Sequence, residues 1–409
     1  MLAWLTLALI GVIVCIDWYL LYQSKDDVTV KRQVDEKLSL SDSETIHYKI
    51  TNNSDRKFDV SLYDELPFQL QHRQGLKPFR LEEKPIEFDY HIRPYERGEY
   101  HFGQTHLYIS NPKLNLLQRR ISTDKETISQ VVPSIKQMKK YELQVFSQMS
   151  ALSGIRKTRQ IGENDEFEHI RPYTQGDNVK AINWKATSRS NQIMVNQYQN
   201  SRHQSVYCII DKGRSMKMPF GNLTLLDHSI NSALALSNII LRKYDHAGLI
   251  TFSNKIGTVL KATAKKGQLE KIADILYNQK TGFNESNFKR LSEVTRRQIN
   301  RRSIWLFYTN FETEHDLNRH LPHLRYLAKR HLLVVIIFIN TQLQETSEME
   351  CKTKNDIYLK TFAEKVLLDK QLIKEKLVKN GIQTILTTPK NLSVNVINKY
   401  LEIKSKRMK

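Results

Sequence analysis

Ionisable and aromatic residues crowd into one stretch of the chain: Glu168-His169-Ile170-Arg171, then Tyr173, a turn at Gly176-Asp177, then Asn183-Trp184-Lys185 and Arg189. A histidine beside carboxylates and an arginine could perform acid–base chemistry on a phosphate. His169, Arg171 and Asp177 therefore define one reading, a phosphate- or nucleic-acid-directed enzyme. The same residue types also suit recognition. Arg171 and Arg189 offer planar forks to carboxylates, and Tyr173 and Trp184 belong to the types enriched at interface hot spots. A third reading is structural, with an arginine paired to Asp177 and the aromatics buried against a neighbouring sheet. The enzyme reading has no second support: there is no Gly-x4-Gly-Lys-Ser/Thr loop, no His-Glu-x-x-His and no Gly-x-Ser-x-Gly elbow. A non-enzymatic protein is expected.

The elements that would position this stretch lie on both sides of it. Downstream, Val206–Ile210 is a continuous apolar run, as a parallel strand buried on both faces requires, and it ends at Asp211. A helical apolar period from Leu225 to Ile240 follows, opened by a capping box at Thr224-x-x-Asp227. Further strands are predicted at 247–252, 256–260, 303–309, 332–339 and 383–386, with a long helix over 357–380 stopped by Gly381. This alternation predicts a doubly wound α/β sheet. Ligands of such sheets sit at the carboxyl ends of the strands, and the first such end reads Asp211-Lys212-Gly213-Arg214-Ser215. Upstream, residues 28–132 form short alternating segments broken by turn residues, which predicts a β-sandwich. Residues 133–161 read as a basic, helical connector, and 404–409 as a disordered basic tail able to touch an anionic leaflet.

Composition narrows the classes. The chain has 409 residues, 40% of them hydrophobic, which suits two or three globular units. A net charge of +20 implies anionic partners, yet no nucleic-acid-binding module is recognisable and nucleic acid is not an expected partner. Cys15, Cys208 and Cys351 are too scattered for a disulfide framework or a zinc site. Residues 1–22 are almost wholly apolar apart from Asp17, and read as a membrane helix with Trp18, Tyr19 and Tyr22 at an interface. No basic region precedes it and no small-x-small site follows it, so an uncleaved, single-pass anchor in contact with lipid is expected. Lys25, Lys31 and Arg32 lie after the span, which places the main body in the cytoplasm, at the inner membrane.

The order Arg171-x-Tyr173, Gly176-Asp177, Ile182-Asn183-Trp184-Lys185 and Arg189 resembles the signature of a bacterial family called domain of unknown function 58. Residues 94–100 and 111–116 also resemble its membrane-proximal β-domain. The resemblance implies a signature segment over 162–200, a von Willebrand factor type A (vWA) domain of Rossmann-like topology over 204–403, and a MoxR-type AAA+ ATPase as partner. Arg171, Tyr173, Gly176, Asp177, Asn183, Trp184, Lys185 and Arg189 become the partner-binding candidates. It also implies a metal-ion-dependent adhesion site, to which Asp211 and Ser215 correspond. Gly213 replaces a serine and Asn310 an aspartate there, while the loop Thr281–Ser286 could supply a further hydroxyl. Losing one hydroxyl and one carboxylate leaves a degenerate site, so the cofactor expectation is none, or at most a weakly held Mg²⁺. The expected function is a membrane-tethered scaffold or adaptor that docks the ATPase and other envelope proteins in assembly, maturation or stress response.

Overall fold

The computed structural model describes residues 2–22, 28–54, 56–71, 77–82, 84–122, 126–134, 166–175, 177, 179–199, 203–351 and 353–407. The helical connector expected over 133–161 lies almost entirely outside the described residues.

The apolar N-terminus forms one helix, α1 (Leu2–Tyr22), long and apolar enough to cross a membrane. Its first four turns expose Trp4, Leu5, Leu7, Leu9, Ile10 and Val12. Asp17, the one charge in the run, is fully buried against the next domain, where its Oδ2 accepts from the backbone of Leu116 (3.1 Å) and Leu117 (3.0 Å). The last carbonyls of the helix are also satisfied by that domain. Arg56 donates to the Leu20 oxygen (3.0 Å) and Arg119 to the Leu21 oxygen (2.9 Å), cations where a helix C-terminus favours them. Leu21 enters the β-domain core. The helix is therefore continuous with the domain that follows it.

Ten strands follow: β1 (Val28–Gln33), β2 (Lys37–Ser39), β3 (Glu44–Asn52), β4 (Phe58–Asp64), β5 (Lys77–Leu81), β6 (Ile86–Ile92), β7 (Gly98–Phe102), β8 (Thr105–Ser110), β9 (Gln118–Ser122) and β10 (Thr127–Val132). They form three sheets, β1-β3-β6, β2-β10-β7 and β5-β4-β8-β9. Alternate residues turn inward, as in Phe58, Val60 and Leu62 of β4, and the inward sets of all three sheets merge into one core. Tyr100 is buried there, and its hydroxyl returns to the Glu96 carbonyl at 2.9 Å, the tie that tyrosine corners make in sandwich folds.

Beyond a separate two-stranded unit, β11 (Glu166–Pro172) with β12 (Met194–Gln199), the chain builds a six-stranded sheet. Its members are β13 (Ser205–Asp211), β16 (His246–Phe252), β17 (Ile256–Thr263), β18 (Ile304–Tyr308), β19 (Leu332–Phe338) and β20 (Gln383–Thr387), with a two-residue hairpin of β14 (Pro219–Phe220) and β15 (Leu223–Thr224) beside it. The order is β17-β16-β13-β18-β19-β20, parallel except for β17 at one edge. Strand β13 feeds both sides. Val206, Cys208 and Ile210 meet α3 (Leu225–Arg242), α4 (Gln268–Tyr277) and α9 (Leu392–Arg407), while Tyr207 and Ile209 meet α5 (Phe288–Gln298), α6 (Glu314–Arg330) and α8 (Lys354–Lys379). Two shorter α-helices, α2 (Trp184–Thr187) and α7 (Thr341–Glu348), complete the set among the described residues. The expected disordered tail is instead helical through Arg407, because Lys404 is tied to Asp245 (2.8 Å) and the Lys243 carbonyl (3.0 Å).

Arg97 joins the two domains. It leaves the β6–β7 turn, pairs with Asp227 of α3 at 2.6 Å and donates to the Gln279 carbonyl at 2.8 Å, with both charged side chains almost wholly buried. Asp227 is at the same time the acceptor of the capping box, taking the Thr224 amide (2.9 Å) and hydroxyl (2.6 Å) on its other oxygen.

A pH response is built in where β18 and β19 begin. His331 stacks on Trp305 with ring centroids 4.1 Å apart, and its Nδ1 meets the Ser303 hydroxyl at 3.1 Å. Burial, aided by Arg330 and Arg302, holds it down to about 4 from an ordinary 6.5. The unfolded chain thus takes up the proton first as pH falls. The stability His331 confers is complete above pH 6.5 and is lost as pH drops through about 4. Urea melts across that window should show a slope that His331→Gln flattens; equal slopes in both proteins would contradict this.

Candidate functional site

Strands β11 and β12 pair antiparallel, Arg171 opposite Val195, and the charged and aromatic segment of the sequence forms the excursion between them. An ion pair ties its first arm. Arg171 engages Asp177 with both ends of its fork, NH1 to Oδ2 at 2.8 Å and NH2 to Oδ1 at 2.6 Å. The Thr174 amide and hydroxyl add further bonds to Oδ2 at 2.8 and 2.9 Å. The Arg171 bonds first, and those of Thr174 next, hold the Asp177 carboxyl down to about 2. A carboxylate held that low exchanges no proton near neutral pH, and the Arg171 fork is spent on it. Gly176 and the side chain of His169 lie outside the described residues.

The second arm is built by Asn183. Its Oδ1 caps α2 by accepting from Ala186 N at 3.0 Å, and its Nδ2 donates to Asn196 Oδ1 of β12 at 2.8 Å. The cap fixes the direction of the next residue. Trp184 stands 69% exposed, with Lys185 and Arg189 also exposed beside it, whereas Tyr173 is half-buried. An arginine is therefore paired with Asp177, but Trp184 is not packed against the sheet.

A second concave site lies where the strand order reverses, between the carboxyl ends of β13 and β18. It is a cleft of about 240 Å³ whose lining includes Asp211, Arg214, Ser215, Ser286, Thr309 and Asn310. Asp211 is buried at its base. Its Oδ1 accepts from the Gly213 amide at 2.8 Å and from the Ser286 hydroxyl, and its Oδ2 from the Thr309 hydroxyl at 2.8 Å. Desolvation outweighs these bonds and raises the carboxyl above its ordinary value. Ser286 occupies the space of a residue-213 side chain, since a Cβ there would stand 2.1 Å from its Oγ. Asn310 faces the cleft but is held from behind: Lys370 of α8 donates to its Oδ1 at 2.8 Å and also to the Phe311 carbonyl. Lys370 is buried, and desolvation draws its ammonium down to about 8. The outer wall carries Glu285 paired with Arg319, and His320 stacked on Phe288 at 4.3 Å.

Asp211, Ser215 and Asn310, chosen from sequence, thus share one cleft, while Arg171, Asp177, Asn183 and Trp184 share another unit, the β11–β12 hairpin. Thr309 and Lys370 were missed. A threonine ending a strand carries no distinguishing signal, and Lys370 sits among seven lysines in α8, a pattern that reads as a solvated face.

No curated protein matches the chain. Solved structures give slight likenesses: the PapD-like domain of human CEP192 (9% identity, 26% of this chain and 87% of that one, TM-score 0.20) and the CARDB domain of a Pyrococcus furiosus protein (13%, 26% and 94%, 0.19). Proximal thread matrix protein 1 of the mussel byssus gives 10% identity over 48% of this chain and 46% of that one, TM-score 0.28. Residues 169–349, which hold the hairpin excursion, the strand-end cleft and five strands of the sheet, match the model described as a protein of unknown function, DUF58.

Proposed function

We propose that the chain is a membrane-tethered docking protein, not an enzyme, whose β11–β12 hairpin presents Trp184, Lys185 and Arg189 to a protein partner. The observation that carries this reading is Trp184. A tryptophan 69% exposed on a capped helix, with the hydrogen bonds around it made by other residues, is an apolar anchor with cationic neighbours. Arg171, Asp177 and Asn183 shape that surface and do not themselves reach the partner. The doubly wound sheet, in the strand order 3-2-1-4-5-6, is read as a vWA domain. A MoxR-type AAA+ ATPase is the proposed partner, supplying energy for envelope-linked assembly, maturation or stress response. The helix α1 is the proposed inner-membrane anchor, with the body in the cytoplasm.

Trp184→Ala separates docking from packing. Because the indole is exposed, unfolding free energy should change by less than about 0.5 kcal/mol. Capture of the ATPase by the full chain in mild detergent should be lost. Retained capture, or destabilisation of the 3–5 kcal/mol order that a core truncation brings, would count against the docking role.

A further inference from the structure

The strand-end cleft has the place in the fold where a hard cation could bridge a partner's carboxylate. Its oxygens do not suit one. A divalent ion of the Mg²⁺ type needs several oxygens at about 2.0–2.1 Å, one or two of them carboxylate, free to turn toward it. Of the carboxylates that line the cleft, Asp211, Glu285, Glu312 and Asp316, Asp211 alone is buried, and both of its oxygens already accept protein hydrogen bonds, from Ser286, Gly213 and Thr309, while Glu285 is paired with Arg319. The second strand end offers Asn310, whose oxygen accepts from the Lys370 ammonium at 2.8 Å. Glycine at 213 withholds the hydroxyl that a serine would bring, and Ser286 occupies that space. Among the described residues no group of three His, Cys, Asp or Glu side chains could hold a metal.

We infer that this cleft works without a divalent cation, and that Lys370 is the fixed positive charge that has taken its place. A buried ammonium one hydrogen bond behind Asn310 repels a second cation at short range in a poorly solvated site. It also accounts for asparagine at 310: the amide oxygen satisfies the ammonium, and the Phe311 carbonyl takes a second of its three protons. Lys370 stays hydrogen-bonded to these two neutral oxygens, which offsets part of the cost of its burial. Glu312 and Asp316, which both line the cleft, favour its charged form.

The test uses the full chain in detergent and Mn²⁺ as the probe, read by the loss of its free-ion EPR signal and by thermal melting. Wild type should show no saturable binding and no melting shift that Mg²⁺ can compete away. Asn310→Asp/Lys370→Met restores a second carboxylate and removes the resident charge with a side chain of similar length. Uncompensated, its two buried carboxylates should lower the melting temperature in chelator, and Mn²⁺ should raise it saturably. Saturable Mn²⁺ binding by wild type that disappears in Asp211→Asn would overturn the inference, and that result does not depend on whether the double variant folds. A folded double variant that remains indifferent to Mn²⁺ would also overturn it, because Lys370 and Asn310 would then not be what excludes the ion.

Discussion

Replacing Arg97 with alanine should cost about 3–5 kcal/mol and separate the unfolding of the two domains. The magnitude follows from what the substitution leaves behind: a carboxylate in a dry interface with one oxygen unpaired, the costly way to break a buried pair. Side-chain exposure of 6% for Arg97 and 11% for Asp227 leaves little room for water to compensate. Asp227 keeps its bonds to Thr224 on the other oxygen, so α3 should retain its cap while the joint to the β-domain fails. Urea unfolding followed by β-sheet and helix signals should therefore change from coincident to separate transitions. Arg97→Lys keeps the charge but loses the fork that reaches both Asp227 and the Gln279 carbonyl, and should fall between the two. Coincident transitions with a loss below about 1 kcal/mol would show that the joint is held elsewhere.

Asp64→Ala should be comparably severe inside the β-domain. Asp64 Oδ1 meets Arg32 NH1 at 2.7 Å and the Thr105 hydroxyl at 2.6 Å, while Oδ2 accepts from the Tyr48 hydroxyl at 2.6 Å. The charged pair is buried to 4% and 0% side-chain exposure. Burial and the adjacent carboxylate push Tyr48 well above its ordinary value, so it stays a donor at any working pH. Removing the carboxylate takes the countercharge from a buried guanidinium, which keeps its bond to Thr127 (2.9 Å), and takes one acceptor from each of two hydroxyls, a loss of about 3–5 kcal/mol. Arg32→Met/Asp64→Leu, which removes both charges, should recover part of it, and the non-additivity in a double-mutant cycle measures the coupling. Additive effects would mean that the two residues act independently.

The α/β half of the chain was largely legible in sequence because its strands are unbroken apolar runs and its helices carry explicit boundaries. The Thr224/Asp227 capping box forms as read, and Gly381 stands at positive φ just past α8. Asp211 was legible as the residue ending the first strand of the sheet. What was not legible depends on distant chain coming together. Arg97 lies in a turn-like string, 94–100, and only tertiary packing sets it against α3, 130 residues on. Asp17 reads in sequence as a charge at a membrane interface, and nothing in the sequence pairs it with the distant Leu116 and Leu117 amides that meet it. The C-terminal lysines read as a loose tail because charge runs usually are, but Asp245 gives Lys404 a buried partner. The signature stretch showed no period in sequence, yet it is bracketed by paired strands and held by a local ion pair. Its residue types alone could not tell a locked aromatic from a presented one.

The most direct test of docking through the hairpin is capture of a purified MoxR-type AAA+ ATPase by the detergent-solubilised full chain, wild type beside Trp184→Ala, with unfolding curves for both. Capture by wild type alone, at equal stability, is the expected result. Equal capture by both proteins, or none by either, would contradict it and leave the exposed tryptophan without the role assigned to it.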